Sequence, residues 1–384
     1  MKAYVKGLLG LVAVAAIGLG SYWGYHKWQA SKAPLSYETV AKTTQTPEEK
    51  ADALLKDMSD ADKVGQLVMF GVHGKEVTED SRYMINAFKP AGIILFDRNM
   101  ESKDQVKTLI SHLNQVAKDN GNVPMFMAID QEGGAVTRMS DQLIQAPPAE
   151  VLGTESVATA VDWAHKSGQE LKDLGFNLNF APDADLGLSY GRSFSKNPDK
   201  VIDYAYNVGQ AYHDQGLWFS YKHFPGIGKT GTDLHADSST VTATKDQLMA
   251  EDTKVFASLM KKTPANEYML MVSHAIYPDL DANNPSSLSK AIITDLLRNE
   301  LGYQGVVVID DMEMGAVSNH YSFADMAIKS INAGADLLLV CHDYGHMQEV
   351  YNGLLKAVKN GDISQERLNE AVKRVLVMKF AQDK

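Results

Sequence analysis

The most regular feature of the sequence is a series of short apolar stretches separated by amphipathic ones. The apolar stretches occupy 64–70, 92–96, 124–129, 177–182, 217–223, 268–273, 305–309 and 336–341. Several are continuous rather than alternating, which is the pattern of parallel strands covered on both faces. Between them, helical spacing recurs around 79–89, 101–119, 155–174, 198–215, 246–262, 287–300, 321–332 and 346–359. A further helix is expected at 48–58 and a last one at 364–380. Eight strand–helix units are the count of an α/β fold of the (β/α)8 TIM barrel type. A doubly wound sheet would use fewer strands and a glycine fingerprint after the first; Gly71-Val72-His73-Gly74 is not that fingerprint.

The first thirty residues break this pattern. Lys2 and Lys6 precede an apolar run over 7–24 that contains one small polar residue, Ser21. At about 1.5 Å per residue, such a helix is near the lower limit for crossing a bilayer. A secretory signal peptide has the same appearance. No small-x-small cleavage site follows the run, and Ser31-Lys32-Ala33 leads directly into Pro34, which favours an uncleaved anchor. The expected organisation is a signal-anchor or signal segment at 1–30, a linker rich in Ser, Thr, Lys and Pro at 31–47, and a barrel at 48–384. The barrel is then expected to be membrane-anchored through the N-terminal segment and extracytoplasmic, on the periplasmic side in a Gram-negative cell. The alternative is secretion after signal cleavage.

Composition narrows the partners. The chain of 384 residues is 45% hydrophobic and 22% charged, as in a soluble globular domain. Its formal charge of -11 disfavours nucleic acid, whose phosphates call for clustered Lys and Arg. Cys341 is the single cysteine, which excludes an intramolecular disulfide and a cysteine metal cluster. Its apolar surroundings read as a buried small hydrophobe.

Polar residues collect just past the apolar runs: Asp130, Asp183, Asp185, Lys222, His223, His274, Asp310, Asp311 and His342. Chance loop placement accounts for one or two of these, whereas one mouth at the C-terminal ends of barrel strands accounts for them together. Asp130 ends the third run and is followed by Gly133-Gly134, which allow a tight turn. An aspartate there suits sugar hydroxyls, and Arg138 suits an oxygen-rich substrate; a turn carboxylate with a surface arginine is the plainer reading. Asp183 and Asp185 are read as orienting Arg192 or supporting their loop rather than binding metal, since no histidine at suitable spacing joins them. Arg192 is a candidate substrate clamp or an inward salt bridge.

The segment Lys222-His223-Phe224-Pro225-Gly226-Ile227-Gly228 places a Lys-His pair at the fifth strand end, before a glycine-flanked loop carrying Asp233 and His235. Regular alternation would turn Lys222 and His223 to opposite faces, and a strand twisting into a loop brings both to the mouth. At the seventh run, Asp310 can project toward the barrel axis as nucleophile or general base, with Asp311 turned elsewhere. The acidic pair could alternatively hold Mg2+, and aldolase or decarboxylase chemistry stays open on residue types alone.

Several strings resemble glycoside hydrolase family 3, in its β-N-acetylglucosaminidase (β-hexosaminidase) branch, over roughly 60–340. They are Gly92-Ile93-Ile94-Leu95-Phe96 with Arg98-Asn99, Asp130-Gln131-Glu132-Gly133-Gly134, Gly191-Arg192-Ser193-Phe194, the Lys222 to Gly228 segment, Ser273-His274-Ala275-Ile276-Tyr277-Pro278, and Asp310-Asp311-Met312 with Met314. The resemblance implies a retaining double displacement with Asp310 as nucleophile. It also implies an unusual acid/base, His235, oriented by Asp233. An imidazole can protonate a leaving oxygen and later accept a proton from water near neutral pH. As a neutral base it also avoids the repulsion of two carboxylates. Substrate contacts carry over to Asp130, Arg138, Arg192, Lys222 and His223.

The implied substrate is a terminal non-reducing β-linked N-acetylglucosamine on peptidoglycan fragments (muropeptides) or chito-oligosaccharides, with no metal or organic cofactor. A β-glucosidase or broad β-hexosidase of the same family, or an inactive glycan-binding barrel, is the alternative. Four positions depart from the family pattern: Ile227 replaces a histidine, Ala135 an arginine, Leu234 the serine of the Asp-Ser-His loop, and Ile309 a serine or threonine. The nucleophile and the Asp-x-His pair are kept, so activity is expected.

Overall fold

The computed structural model describes residues 35–230 and 234–382. Its sheet is a closed parallel barrel in chain order: β1 Val68–Gly71, β2 Gly92–Ile94, β3 Phe126–Ile129, β4 Leu178–Asn179, β5 Trp218–Phe224, β6 Tyr268–Val272, β7 Val306–Asp311 and β8 Leu337–Val340. The pairing of Val68 with Leu338 and Phe70 with Val340 closes β1 on β8. The eight-unit barrel read from the sequence is therefore present. The strand limits differ from the expected ones, most at β1 and β4, where the reasons are local. Residues 64–65 end a helix, Asp60–Gly65, whose first turn is capped by the Ser59 hydroxyl accepting from the Asp62 N–H. β4 keeps only two residues of its run, with Asp183 returning to bridge Lys222 beside β5.

Strand alternation sorts the apolar residues into two clusters. Met69, Phe126, Ala128, Trp218, Val306, Val308, Leu337 and Leu339 belong to the cluster that fills the barrel. Met127, Phe219, Val307, Ile309 and Leu338 belong to the shell between strands and helices. Two-residue periodicity then decides what reaches the mouth. Asp130 continues the inward series Phe126–Ala128, and Asp310 continues Val306–Val308.

The last helix, Gln365–Ala381, seals the opposite end: its Val375 and Met378 belong to the barrel-filling cluster. Lys379 follows them inward, its Nζ donating to Gln66 Oε1 and Ala91 O, both at 2.9 Å. Burial alone pulls this lysine well below its ordinary range. Asp336, at the foot of β8, accepts from Arg298 (2.5 Å), Arg367 (2.9 Å) and Arg374 (3.1 Å), tying two helices, Ala291–Glu300 and the last one, to the floor. Burial would raise its carboxyl, but the three guanidiniums hold it below the usual value. Within the stretch read as a linker, Tyr37–Ala41 forms a helix with Tyr37 and Val40 buried. Tyr37 stacks on Phe380 with ring centroids 4.4 Å apart.

The membrane anchor requires correction. No helix of the described residues is long and apolar enough to cross a membrane, and the expected hydrophobic helix at 1–30 lies outside them. The barrel is accordingly not assigned a preceding transmembrane helix, a membrane partner or an anchored extracytoplasmic placement.

Candidate active site

The polar residues named from the sequence converge at the C-terminal mouth. On β3, Asp130 emerges with inward parity, and Glu132 follows in the turn opened by Gly133. That glycine has φ 96°, and a Cβ there would lie 2.9 Å from Ala146 O, so both conformation and space require it. Asn179 of β4 fixes this turn by exchanging hydrogen bonds with the Gln131 backbone, at 2.9 and 3.0 Å. Gln131 in turn accepts from the Arg138 N–H at 2.8 Å.

The centre of the cluster is Glu132, which the sequence reading did not single out. Arg192 grips it in a two-pronged pair, Nε and Nη2 each 2.8 Å from a carboxylate oxygen. Lys222 Nζ lies 2.7 Å from Glu132 Oε1 and 3.0 Å from Asp130 Oδ1. Arg138 reaches Asp130 Oδ2 at 3.3 Å and lies over the Phe96 ring, 5.1 Å from its centroid. Burial would raise Glu132, but Lys222 and Arg192 hold it well below the carboxylate range. Lys222, although desolvated, is held above its ordinary value by Glu132 and Asp130. Arg192 is thus an inward salt bridge.

Beneath this layer lies Asp183-Asp185-His223. Burial and the neighbouring Asp185 push Asp183 well up. Its Oδ2 is 3.2 Å from Arg192 Nη2 but lacks hydrogen-bond alignment. Burial also pushes Asp185 up to about 6, against hydrogen bonds from Asp183 and the Ile227 N–H. Asp185 Oδ2 accepts from both the backbone N–H (3.1 Å) and Nδ1 (2.8 Å) of His223. Burial lowers His223, so the ring is neutral with its proton on Nδ1. Its Nε2 stands 3.9 Å from Asp310 Oδ2. The Lys222–His223 peptide is cis, and both side chains reach the mouth despite their adjacent positions.

Asp310 is 17% exposed at the end of β7. Burial would raise its carboxyl, but His223, His274, the Asp311 N–H at 2.8 Å and Lys222 hold it below its ordinary value. It is therefore ionised at neutral pH. Asp311 has the opposite parity and turns toward β8, accepting from the Cys341 and Glu313 N–H groups and lying 3.2 Å from His342 Nε2. His274 donates from Nε2 to the Asp311 carbonyl at 2.9 Å while Nδ1 accepts from Ser287, bracing the end of β7.

Of the acid/base pair, Asp233 lies outside the described residues. His235 is exposed, and its carbonyl accepts from the Gly315 N–H at 3.1 Å, close in chain to Asp310. Among the described residues, two groups of side chains are close enough to hold a metal ion, Asp183–Asp185–His223 and Asp311–Glu313–His342. The first includes a histidine that sequence spacing did not connect, because it arrives from the next strand. Its carboxylates already face Arg192 and the Nδ1–H of His223. In the second, Arg98 Nη1 sits 3.0 Å from His342 Nδ1, so that ring turns its Nε2 proton to Asp311.

Comparison with known proteins places this geometry. Residues 60–378 match the glycosyl hydrolase family 3 N-terminal domain. The chain is 31% identical over 323 residues to a β-hexosaminidase of Haemophilus influenzae, covering 81% of this chain and 90% of that one. It is 30% identical over 331 residues to β-hexosaminidase A of Pseudoalteromonas piscicida, covering 77% of this chain and 54% of that one, so it spans about half of that relative. A family 3 β-N-acetylglucosaminidase structure from Paenibacillus sp. superposes with a TM-score of 0.81 at 36% identity, over 85% of this chain and 64% of that one. A closed eight-stranded barrel, an ionised aspartate ending its seventh strand and these matches lead to one assignment: the chain is a glycoside hydrolase of family 3, in its β-hexosaminidase branch.

Proposed function

We propose that this protein is a retaining exo-β-N-acetylglucosaminidase that releases terminal non-reducing N-acetylglucosamine from peptidoglycan fragments or chito-oligosaccharides. The observation that carries the reading is the environment of Asp310. A carboxylate kept ionised at the mouth faces a neutral histidine and a lattice of donors and acceptors suited to sugar hydroxyls. In the first step Asp310 attacks C1, and the C1–oxygen bond to the leaving group breaks as His235 protonates that oxygen. In the second, water attacks C1, gives a proton to His235 and releases Asp310. Asp130, Lys222, Arg192, Arg138 and His223 are assigned to the sugar, and Asp233 to orienting His235.

A hydrolysis panel tests the substrate. An aryl β-N-acetylglucosaminide is expected to turn over at least tenfold faster, in kcat/KM, than the matching glucoside. Equal rates would replace this reading with a broad β-hexosidase. Defined muropeptides and chito-oligosaccharides in the same panel identify the natural class.

The pH profile separates two carboxylates. Asp310 is held low and stays ionised in mild acid, whereas Asp185 gains a proton as pH falls through about 6. Protonation removes the charge that holds Nδ1–H of His223. kcat/KM is therefore expected to decline below about pH 6, and Asp185→Asn to lose that limb. The stability linkage has its own sign: Asp185 is raised from 3.8, so its favourable contribution is complete below the ordinary carboxylate range and is lost as pH rises through about 6. An acid limb of kcat/KM that persists unchanged in Asp185→Asn would assign it to another group.

A further inference from the structure

We propose that residues 315–320, the segment just after Asp310 and Asp311, are the ledge that positions the His235 loop, with Gly315 the residue that sets its distance. This rests on the assignment of His235 as acid/base. The loop and the ledge are joined by paired backbone bonds: the Gly315 N–H to His235 O and the Ala316 N–H to Leu234 O, both 3.1 Å. Asn319 Nδ2 adds a bond to Ala236 O at 3.3 Å, and His320 Nε2 lies 2.9 Å from Asp237 Oδ1. The approach is close enough to demand glycine. A Cβ at 315 would stand 2.4 Å from Ala236 O and 2.9 Å from His235 O.

Both partners of the contact are anchored. On the ledge side, the Asp311 carbonyl accepts from the Met314 N–H (3.1 Å) and from His274 (2.9 Å), so the turn after the nucleophile is braced. On the loop side, Leu234 is 5% exposed within the main core cluster. Its position is where the family resemblance has serine, so this chain holds the loop by an apolar side chain. Further along, the Ile276 N–H donates to Ser239 O (2.9 Å) and the Val241 N–H to Ile276 O (2.8 Å), clipping the loop to the segment after β6. His235 and Asp310 are thereby referred to one short stretch of backbone.

Adding a methyl group at 315 must displace the loop by about 1 Å, and a misplacement of that size costs on the order of 100-fold when it falls on a reacting group. The loss should appear only where protonation of the leaving group matters. The test compares phenyl and dinitrophenyl β-N-acetylglucosaminides, the second of which leaves without a proton. Gly315→Ala is expected to lose about 100-fold in kcat/KM on the phenyl substrate and less than about threefold on the dinitrophenyl one. Asn319→Ala and Leu234→Ser should show the same selectivity, at roughly three- to tenfold, and keep the test open should Gly315→Ala fail to fold.

His235→Ala serves as the reference. If it loses equally on both substrates, its acid/base assignment falls and the ledge's role falls with it. If His235→Ala is selective but the ledge variants lose equally on both substrates, or lose nothing, the ledge is overturned while the assignment of His235 stands.

Discussion

Asp310→Ala is expected to cut kcat/KM on an aryl β-N-acetylglucosaminide by about 10⁴-fold or more, the scale at which removal of a nucleophile leaves residual binding and electrostatic effects. The same substitution should lower the thermal midpoint only modestly, because the neighbours that hold Asp310 below its ordinary value favour its ionised form in the fold. Asp310 holds a carboxylate in a desolvated position among His223, His274 and Lys222, and its inward-facing predecessors Val306 and Val308 are buried in the barrel. Losing the ionised carboxylate forfeits that favourable term, while the packed residues around it stay in place, so the stability loss is small beside the expected loss of activity. Activity and melting measured on one preparation therefore separate a catalytic loss from a folding loss. Near-wild-type hydrolysis by Asp310→Ala would remove the nucleophile assignment, and a melting point far below the parent would make the loss structural.

Glu132→Gln is expected to act on both quantities. The side chain keeps its shape, but Lys222, 3% exposed, and Arg192 lose the carboxylate between them. Removing one partner of a buried charge group destabilises by about 3–5 kcal/mol, since the remaining charges stay desolvated. Arg192→Met in the Glu132→Gln background should recover part of the loss, a coupling that a double-mutant cycle in urea measures. Substrate binding should weaken as well, because Lys222 and Arg192 are the donors that Glu132 holds in place. A stability change within about 0.5 kcal/mol for the single variant would mean that the cluster is not coupled as the distances indicate.

Periodicity made the inward series legible before any coordinates. Asp130 and Asp310 stand two residues beyond buried strand positions, and both emerge at the mouth. Glu132 was legible by the same step of two from Asp130 but was passed over, because its meaning lies in a partner 60 residues away, Arg192. The bond between Asp185 and His223 spans 38 residues and joins different strand ends, so neither local spacing nor alternation announces it. The early part of the first apolar run was misread because 60–65 carries helix-compatible residues behind a serine cap, a signal that competes with apolar continuity. The membrane expectation came from hydropathy in residues 1–30 alone, and nothing in the described fold takes it up.

The stacking of Tyr37 on Phe380 brings the two described ends of the chain together at the sealed floor, where Lys373 also meets Asp52 at 2.6 Å. Strands of a few residues at about 3.3 Å each put a barrel's height between that floor and the mouth where Asp310 stands. An engineer trimming the chain to residues 35–382 and joining those ends through a short linker could open it elsewhere, as a circular permutant, without building across the entrance. The ends supply a handle for immobilisation that leaves the mouth facing the substrate.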